Sequence, residues 1–314
     1  MRVLFLGLVF VAGCVSTEEA RLALGRSCLD ESLSATVRLS SCEAVIEAPR
    51  SGPRDKALSL SGRGDIRLAQ RDWDGARADH EAAFSLEPEL PVVQSGIGRM
   101  ELRVGRPDTA AGYLERPRAA LAAAIVLVGD EFMKAPRRSG EALAWLTALS
   151  FWERREDRLL LDLSHSRLLL EQPTMALDVL RERSRRSRLA YQGGAGWGDG
   201  LQCVALVRLH RVNEGQASCR EAERRAVLDD GMPHALAAGV YLMLGDDVAA
   251  NAAIREALRR SPNLPEATWL QGALFERQGR SQEAQEARAS ANRNDPFLEA
   301  RWAPLFGPRL DRPR

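Results

Sequence analysis

Apolar residues are distributed along this chain in two ways. Val3 to Val11 form an almost wholly apolar run directly after the basic Arg2, and beyond it no stretch approaches the roughly 20 residues that a membrane-spanning helix needs. The remainder breaks into short segments that read as helices in pairs: LQCVALVRLH and QASCREAERR, for example, are separated only by RVNEG. Small residues recur among them in a frame of about 34 residues, the signature of a repeat. Gly64, Gly98 and Gly272 stand at the eighth position, Ala76, Ala110, Ala250 and Ala284 at the twentieth, and Ala83, Ala257 and Ala291 at the twenty-seventh. Pro88, Pro262 and Pro296 close three of these units.

The residue types explain the spacing. Gly or Ala at the eighth and twentieth positions lets two antiparallel backbones approach closely, and proline stops the second helix because it lacks an amide hydrogen and disfavours helix in the residue before it. The pattern resembles the tetratricopeptide repeat family. That resemblance implies an all-α fold, an α-solenoid in which helix pairs stack into a right-handed superhelix, because one pair cannot bury its apolar face alone. Four units are expected at 57–90, 91–124, 231–264 and 265–298, forming a first block over 57–124 and a second over 231–298. The segment 125–230 keeps only fragments of the pattern, and its length suggests three further units, about seven in all. The five glycines of YQGGAGWGDG, Tyr191 to Gly200, predict a long loop there, since glycine is costly inside a helix.

The flanks read as caps. SATVRLSSCEAVIEA predicts a lone capping helix within 14–56, and Leu298, Trp302, Leu305 and Phe306 are placed to cover the last unit, with a frayed tail completing 299–314. Apart from Cys14 there are four cysteines, in two close pairs: Cys28 with Cys42 and Cys203 with Cys219. Cys203 and Cys219 are equidistant from Arg211, so an antiparallel hairpin brings them together. An even count in an exported chain reads as disulfides, with buried free thiols the alternative. A cysteine pair ahead of the first full unit also resembles the start of some exported tetratricopeptide proteins.

The apolar start has the form of a secretory signal. It ends in Val11, Ala12, Gly13 and Cys14, which resembles the lipobox of bacterial lipoproteins, against the alternative of a signal whose cysteine is incidental. The resemblance implies removal of residues 1–13 and lipidation of Cys14. Val15, where an aspartate would favour inner-membrane retention, implies an outer-membrane location facing the periplasm.

Candidate chemistry is sparse. The charges nearly cancel, 44 basic against 43 acidic, which gives no general attraction to nucleic acid. His80, His165, His210 and His234 are scattered without metal-ligand spacing, and packing is the better reading of those that fall in the repeat frame. The RGD at Arg63 to Asp65 is explained by the repeat's own need for Gly64, and the basic run Arg181 to Arg188 reads as a solvated helix end, with contact to anionic lipid headgroups the alternative. No catalytic, cofactor or metal site is expected. Binding by shape remains. The family resemblance assigns the concave groove to Asp65, Leu68, Arg99, Arg103, Met232, Met243, Trp269 and Arg277, with arginines suited to an acidic or C-terminal carboxylate ligand. The expected function is a non-enzymatic scaffold that docks another envelope protein, as tetratricopeptide lipoproteins in secretin assembly or peptidoglycan-enzyme tethering do. The alternative is a hydrolase or transferase site hidden in 125–230.

Overall fold

The computed structural model describes residues 18–30, 33–134, 139–186 and 195–306; Cys14 and the expected signal lie outside them. The chain divides into two compact units, 1–100 and 101–314. Among the described residues every regular element is helical.

In the first unit, α1 (Glu18–Leu29) and α2 (Ala35–Glu47) pack on each other and on α3 (Pro53–Ala69), which pairs with α4 (Trp73–Leu86). The expected lone cap is therefore two helices, joined by the Cys28–Cys42 disulfide with its Cα atoms 4.7 Å apart. Helix α3 reaches this bridge through Gly62: a β-carbon there would lie 2.9 Å from the Cys28 sulfur. Proline at the first position starts α3, and Asp72 caps α4 by accepting a hydrogen bond from the Gly75 amide. Helix α5 (Pro91–Arg103) carries the boundary between the units.

The second unit continues with α6 (Pro107–Lys134), α7 (Ser139–Leu169), α8 (Pro173–Arg186), α9 (Ala195–Arg208), α10 (Val212–Arg225), α11 (Met232–Leu244), α12 (Asp247–Arg260), α13 (Pro265–Arg277), α14 (Ser281–Asn294) and α15 (Leu298–Phe306). Each of α7, α9, α11 and α13 packs against the helix that follows it. These four first helices also touch one another in succession, α7 on α9, α9 on α11 and α11 on α13, forming one inner row. Ala205, Ala235, Ala238 and Ala273 are buried on it, and Ala250, Ala257 and Ala291 on the paired helices, where small side chains let the helices close up. Cys203 on α9 and Cys219 on α10 form the second disulfide, Cα atoms 5.1 Å apart, as the hairpin symmetry predicts.

Among the described residues the turn inside each pair is the same motif six times. A left-handed residue ends the first helix: Arg71, Gly105, Glu171, His210, Gly245 or Gly279. The next amide then reaches back to the carbonyl five residues earlier, from Asp72 to Arg67 at 3.0 Å, Arg106 to Glu101 at 2.9 Å, Gln172 to Arg167 at 2.8 Å, and likewise from Arg211, Asp246 and Arg280 at 2.9 Å. This is the Schellman closure of a helix C-terminus. Arg71 and Gly105 stand 34 residues apart, as do Gly245 and Gly279, so the turn carries the repeat period.

Two sequence expectations change. The segment 125–230 holds the end of α6 and two pairs, α7/α8 and α9/α10, where the length suggested three units. The residues of the missing pair are taken up by α6 and α7, which run 28 and 31 residues. The glycine-rich stretch is not a loop throughout, because Ala195–Gly200 begins α9. Gly196 lies 2.9 Å, by its absent β-carbon, from the Ala222 carbonyl, and Gly200 lies similarly 2.7 Å from Leu236. Close packing there outweighs poor intrinsic helix propensity.

Candidate functional site

Among the described residues, each unit gathers buried polar groups into a cluster that joins several helices. In 1–100 it is built around His80 of α4, which is fully buried, with neither ring nitrogen hydrogen-bonded. The ring fits because its neighbours are glycines: β-carbons at Gly64 and Gly96 would fall 2.8 Å and 2.6 Å from it. Asp65 Oδ1 lies 3.7 Å from His80 Nε2 and accepts a 2.5 Å hydrogen bond from Arg99. Burial, followed by the opposing pulls of Asp65 and Arg99, holds the imidazole below its ordinary pKa, so it stays neutral. Beside it Asp79 accepts from Arg63 at 2.7 Å and 2.9 Å and from Arg67 at 2.9 Å. The RGD residues are thus all engaged within the helices.

Ser61, His80 and Asp65 are residue types that acyl-transfer enzymes use, yet their geometry differs. The Ser61 hydroxyl is fully buried and donates to the Val92 carbonyl at 3.4 Å, and neither imidazole nitrogen is hydrogen-bonded. The cluster ties α3, α4 and the start of α5 together.

In 101–314 the polar cluster lies beneath α15. Its centre is Arg301, 2% exposed, which donates to Glu266 of α13 at 3.0 Å and to Asp295, the C-cap of α14. Asp295 also accepts the Phe297 amide at 3.0 Å, which fixes the three-residue link into α15. Burial opposes the Arg301 charge, but Glu266 and Asp295 outweigh it and hold the guanidinium above its ordinary value. His165 of α7 is hydrogen-bonded to the Arg301 backbone; burial, then the charges of Arg301 and Arg103, lower its pKa to about 3. Its Nε2 has no hydrogen-bond partner. Arg103 is lowered to about 10 by burial and by Arg301, against the pull of Asp162, Glu266 and Asp295. From α9, Arg208 donates to the Leu168 carbonyl at 2.7 Å and to the Pro304 carbonyl at 3.3 Å.

Around this polar centre α15 is held by apolar anchors. Leu298, Trp302, Leu305 and Phe306 are at most 1% exposed, and the Trp302 and Phe306 rings meet edge to face at 5.4 Å. Phe306 lies across Gly239 of α11, and Ala300 across Gly105, each contact requiring the glycine's missing β-carbon. The helix therefore touches α7, α9, α11, α13 and α14, a wider footprint than the last unit that a terminal cap was expected to cover.

The groove residues expected from sequence are placed as follows. Asp65 and Arg99 meet each other, and Leu68 is buried. Arg103 lies in the cluster beneath α15. Trp269 is buried, 3% exposed, under the Arg288 guanidinium at 5.7 Å. Met232 and Met243 pack half-buried against the core, and Arg277 is paired with Asp247 at 2.9 Å. Asp162, His165, Glu266, Asp295 and Arg301 were missed. Glu266 had a signal, since it takes the frame position of Met232 one repeat later. Arg301 had another, lying on the same helical face as Leu298, Trp302 and Leu305 by the three-and-four spacing.

No protein-family model matches the sequence, and no curated protein matches it. Solved structures do. The chain is similar to a tetratricopeptide repeat protein from Parabacteroides merdae, with TM-score 0.53 and 12% identity over 90% of this chain and 98% of that one. It is also similar to a chain of the APC/C hetero-tetramer Cut9–Hcn1, with TM-score 0.51 and 11% identity over 93% of this chain; the match spans 52% of that chain's length. These likenesses identify the fold as an all-α array of tetratricopeptide-type helix pairs.

Proposed function

We propose that the chain is a non-enzymatic docking scaffold of the bacterial cell envelope, lipidated at Cys14, held to the outer membrane on its periplasmic side, and binding another envelope protein along its first helices. The observation that carries the docking part is the inner row of α7, α9, α11 and α13, first helices that stack side by side in succession. Such a row binds by shape, through anchors spread over several repeats. The structural neighbour from Parabacteroides merdae is a tetratricopeptide repeat protein.

Export is supported by the two disulfides, which persist in oxidising compartments. Anchoring is supported by the VAGC sequence at Val11 to Cys14. Several acyl chains on one cysteine, each buried methylene contributing about 0.8 kcal/mol, hold a protein firmly to a leaflet. Fractionation of cells carrying Cys14→Ser tests the anchor: the protein moves from the membrane to the soluble fraction, and unchanged fractionation with no incorporation of labelled fatty acid in the unaltered protein refutes it. Cross-linking in cells, followed by identification of the captured protein, tests the docking role.

A further inference from the structure

We propose that α15 is a resident ligand: it occupies in cis a helix-binding groove on the inner row of 101–314, and the same groove takes from a partner protein an amphipathic helix of matching pattern, a basic residue among aromatic and aliphatic anchors. The inference rests on the docking reading and specifies the partner's chemistry.

The floor of the groove is the first argument. Permanent cores hold few charges, because each buried ion loses several kcal/mol of hydration that a partner must restore. Here His165 of α7 and Glu266 of α13 meet Arg301, and Arg103 at the end of α5 stands beside them with Asp162. A floor of this composition suits a surface that is wet when α15 leaves and selective when a helix returns. Selectivity comes from Glu266 and Asp295, which together receive one guanidinium. A ligand without a cation would leave two buried carboxylates with only Arg103 as a neighbouring charge.

The second argument is the shape of the contact. Leu298, Trp302, Leu305 and Phe306 fall at i, i+4, i+7 and i+8, the anchor pattern of a helix laid in a groove. Gly239 provides the hollow for the last ring. The third is that α15 lacks stability of its own. It is nine residues long, too short to persist alone in water, and Pro304 removes one of its few backbone hydrogen bonds. Its order is supplied by the groove, and only Asp295, Pro296 and Phe297 tether it to α14.

Hydrogen exchange on the unaltered full chain tests the proposal together with a labelled peptide of residues 297–306. The expected result is that α15 amides exchange at least tenfold faster than those of α11 and α13. Full-length Arg301→Ala, with the cis helix weakened, then binds the wild-type peptide at least tenfold more tightly than the unaltered chain does, and an R301A peptide binds it at least tenfold more weakly. Exchange of α15 in step with α11 and α13 overturns the proposal whether or not the variant folds. So does a folded variant, checked by circular dichroism, that binds no peptide. Capture of a partner in cells alongside a static α15 overturns this inference and leaves the docking role standing; the expected exchange and peptide binding with no partner captured overturns the docking role and the partner's part of this inference, leaving only the exchangeable cis helix.

Discussion

Arg301 on α15 and Glu266 on α13, 35 residues apart in sequence, are joined by a buried 3.0 Å charge-assisted hydrogen bond. Both side chains are nearly inaccessible, at 3% and 4% exposed, so solvent screens the pair little. Removing one partner from such a pair is costly because the other charge stays buried. Asp295 still shares the guanidinium, which softens the loss. Glu266→Ala is therefore expected to destabilise the unit 101–314 by about 2–4 kcal/mol. The midpoint of urea unfolding, followed by tryptophan fluorescence, checks this, and the double variant Glu266→Leu with Arg301→Met is expected to recover part of the loss.

The repeated turn gives a prediction of opposite sign at two equivalent positions. His210 and Gly279 both hold the left-handed conformation at the end of a first helix, with φ of 61° and 74°. A residue with a β-carbon is disfavoured there by roughly 1–2 kcal/mol. A β-carbon at Gly279 would meet nothing within 4 Å, so the cost of Gly279→Ala is backbone strain alone. It is expected to destabilise by about 1 kcal/mol, whereas His210→Gly stabilises by about 0.5–1 kcal/mol. Thermal or urea unfolding of the two single variants measures both.

Much of this architecture was legible in the sequence. Gly64, Ala76 and Ala284 recur in phase because each is buried where two helices approach, and that periodicity survives without any other similarity. The Cys203–Cys219 bridge was legible for the same reason: a hairpin's symmetry fixes which residues face each other. Gly198 and Gly200 misled, since glycine's weak helix propensity is a local quantity and the close neighbours Arg183 and Leu236 are not local. Arg301 was hidden in a different way. It reads as one more arginine among many, and its partner Glu266 is reached only once α15 folds back over the inner row. Long-range electrostatic partners leave no period in a sequence.

Acid sensitivity follows from the buried histidines. The unfolded chain binds a proton at His165 near the ordinary value of 6.5, but the folded chain resists protonation down to about pH 3. The stability associated with this neutral ring is complete above about pH 6.5 and is lost as pH falls from there toward 3. His80 acts in the same direction, its value also lowered by burial. Each such group lowers stability by at most about 1.4 kcal/mol per pH unit within its window. Unfolding midpoints are expected to fall between pH 7.5 and pH 5, and His165→Gln is expected to flatten that dependence. An equal slope in the variant would show that His165 is protonated in the folded chain.

Docking along the first helices is tested most directly by photo-cross-linking in living cells. A photoreactive residue is placed at Met232 or Met243, on the inner-row helix α11, and in parallel at Arg255 or Arg259, on its paired helix α12. The scaffold account predicts that one discrete envelope protein is captured from the α11 positions and not from α12. Capture from α12 alone, or equally from both helices, would contradict it.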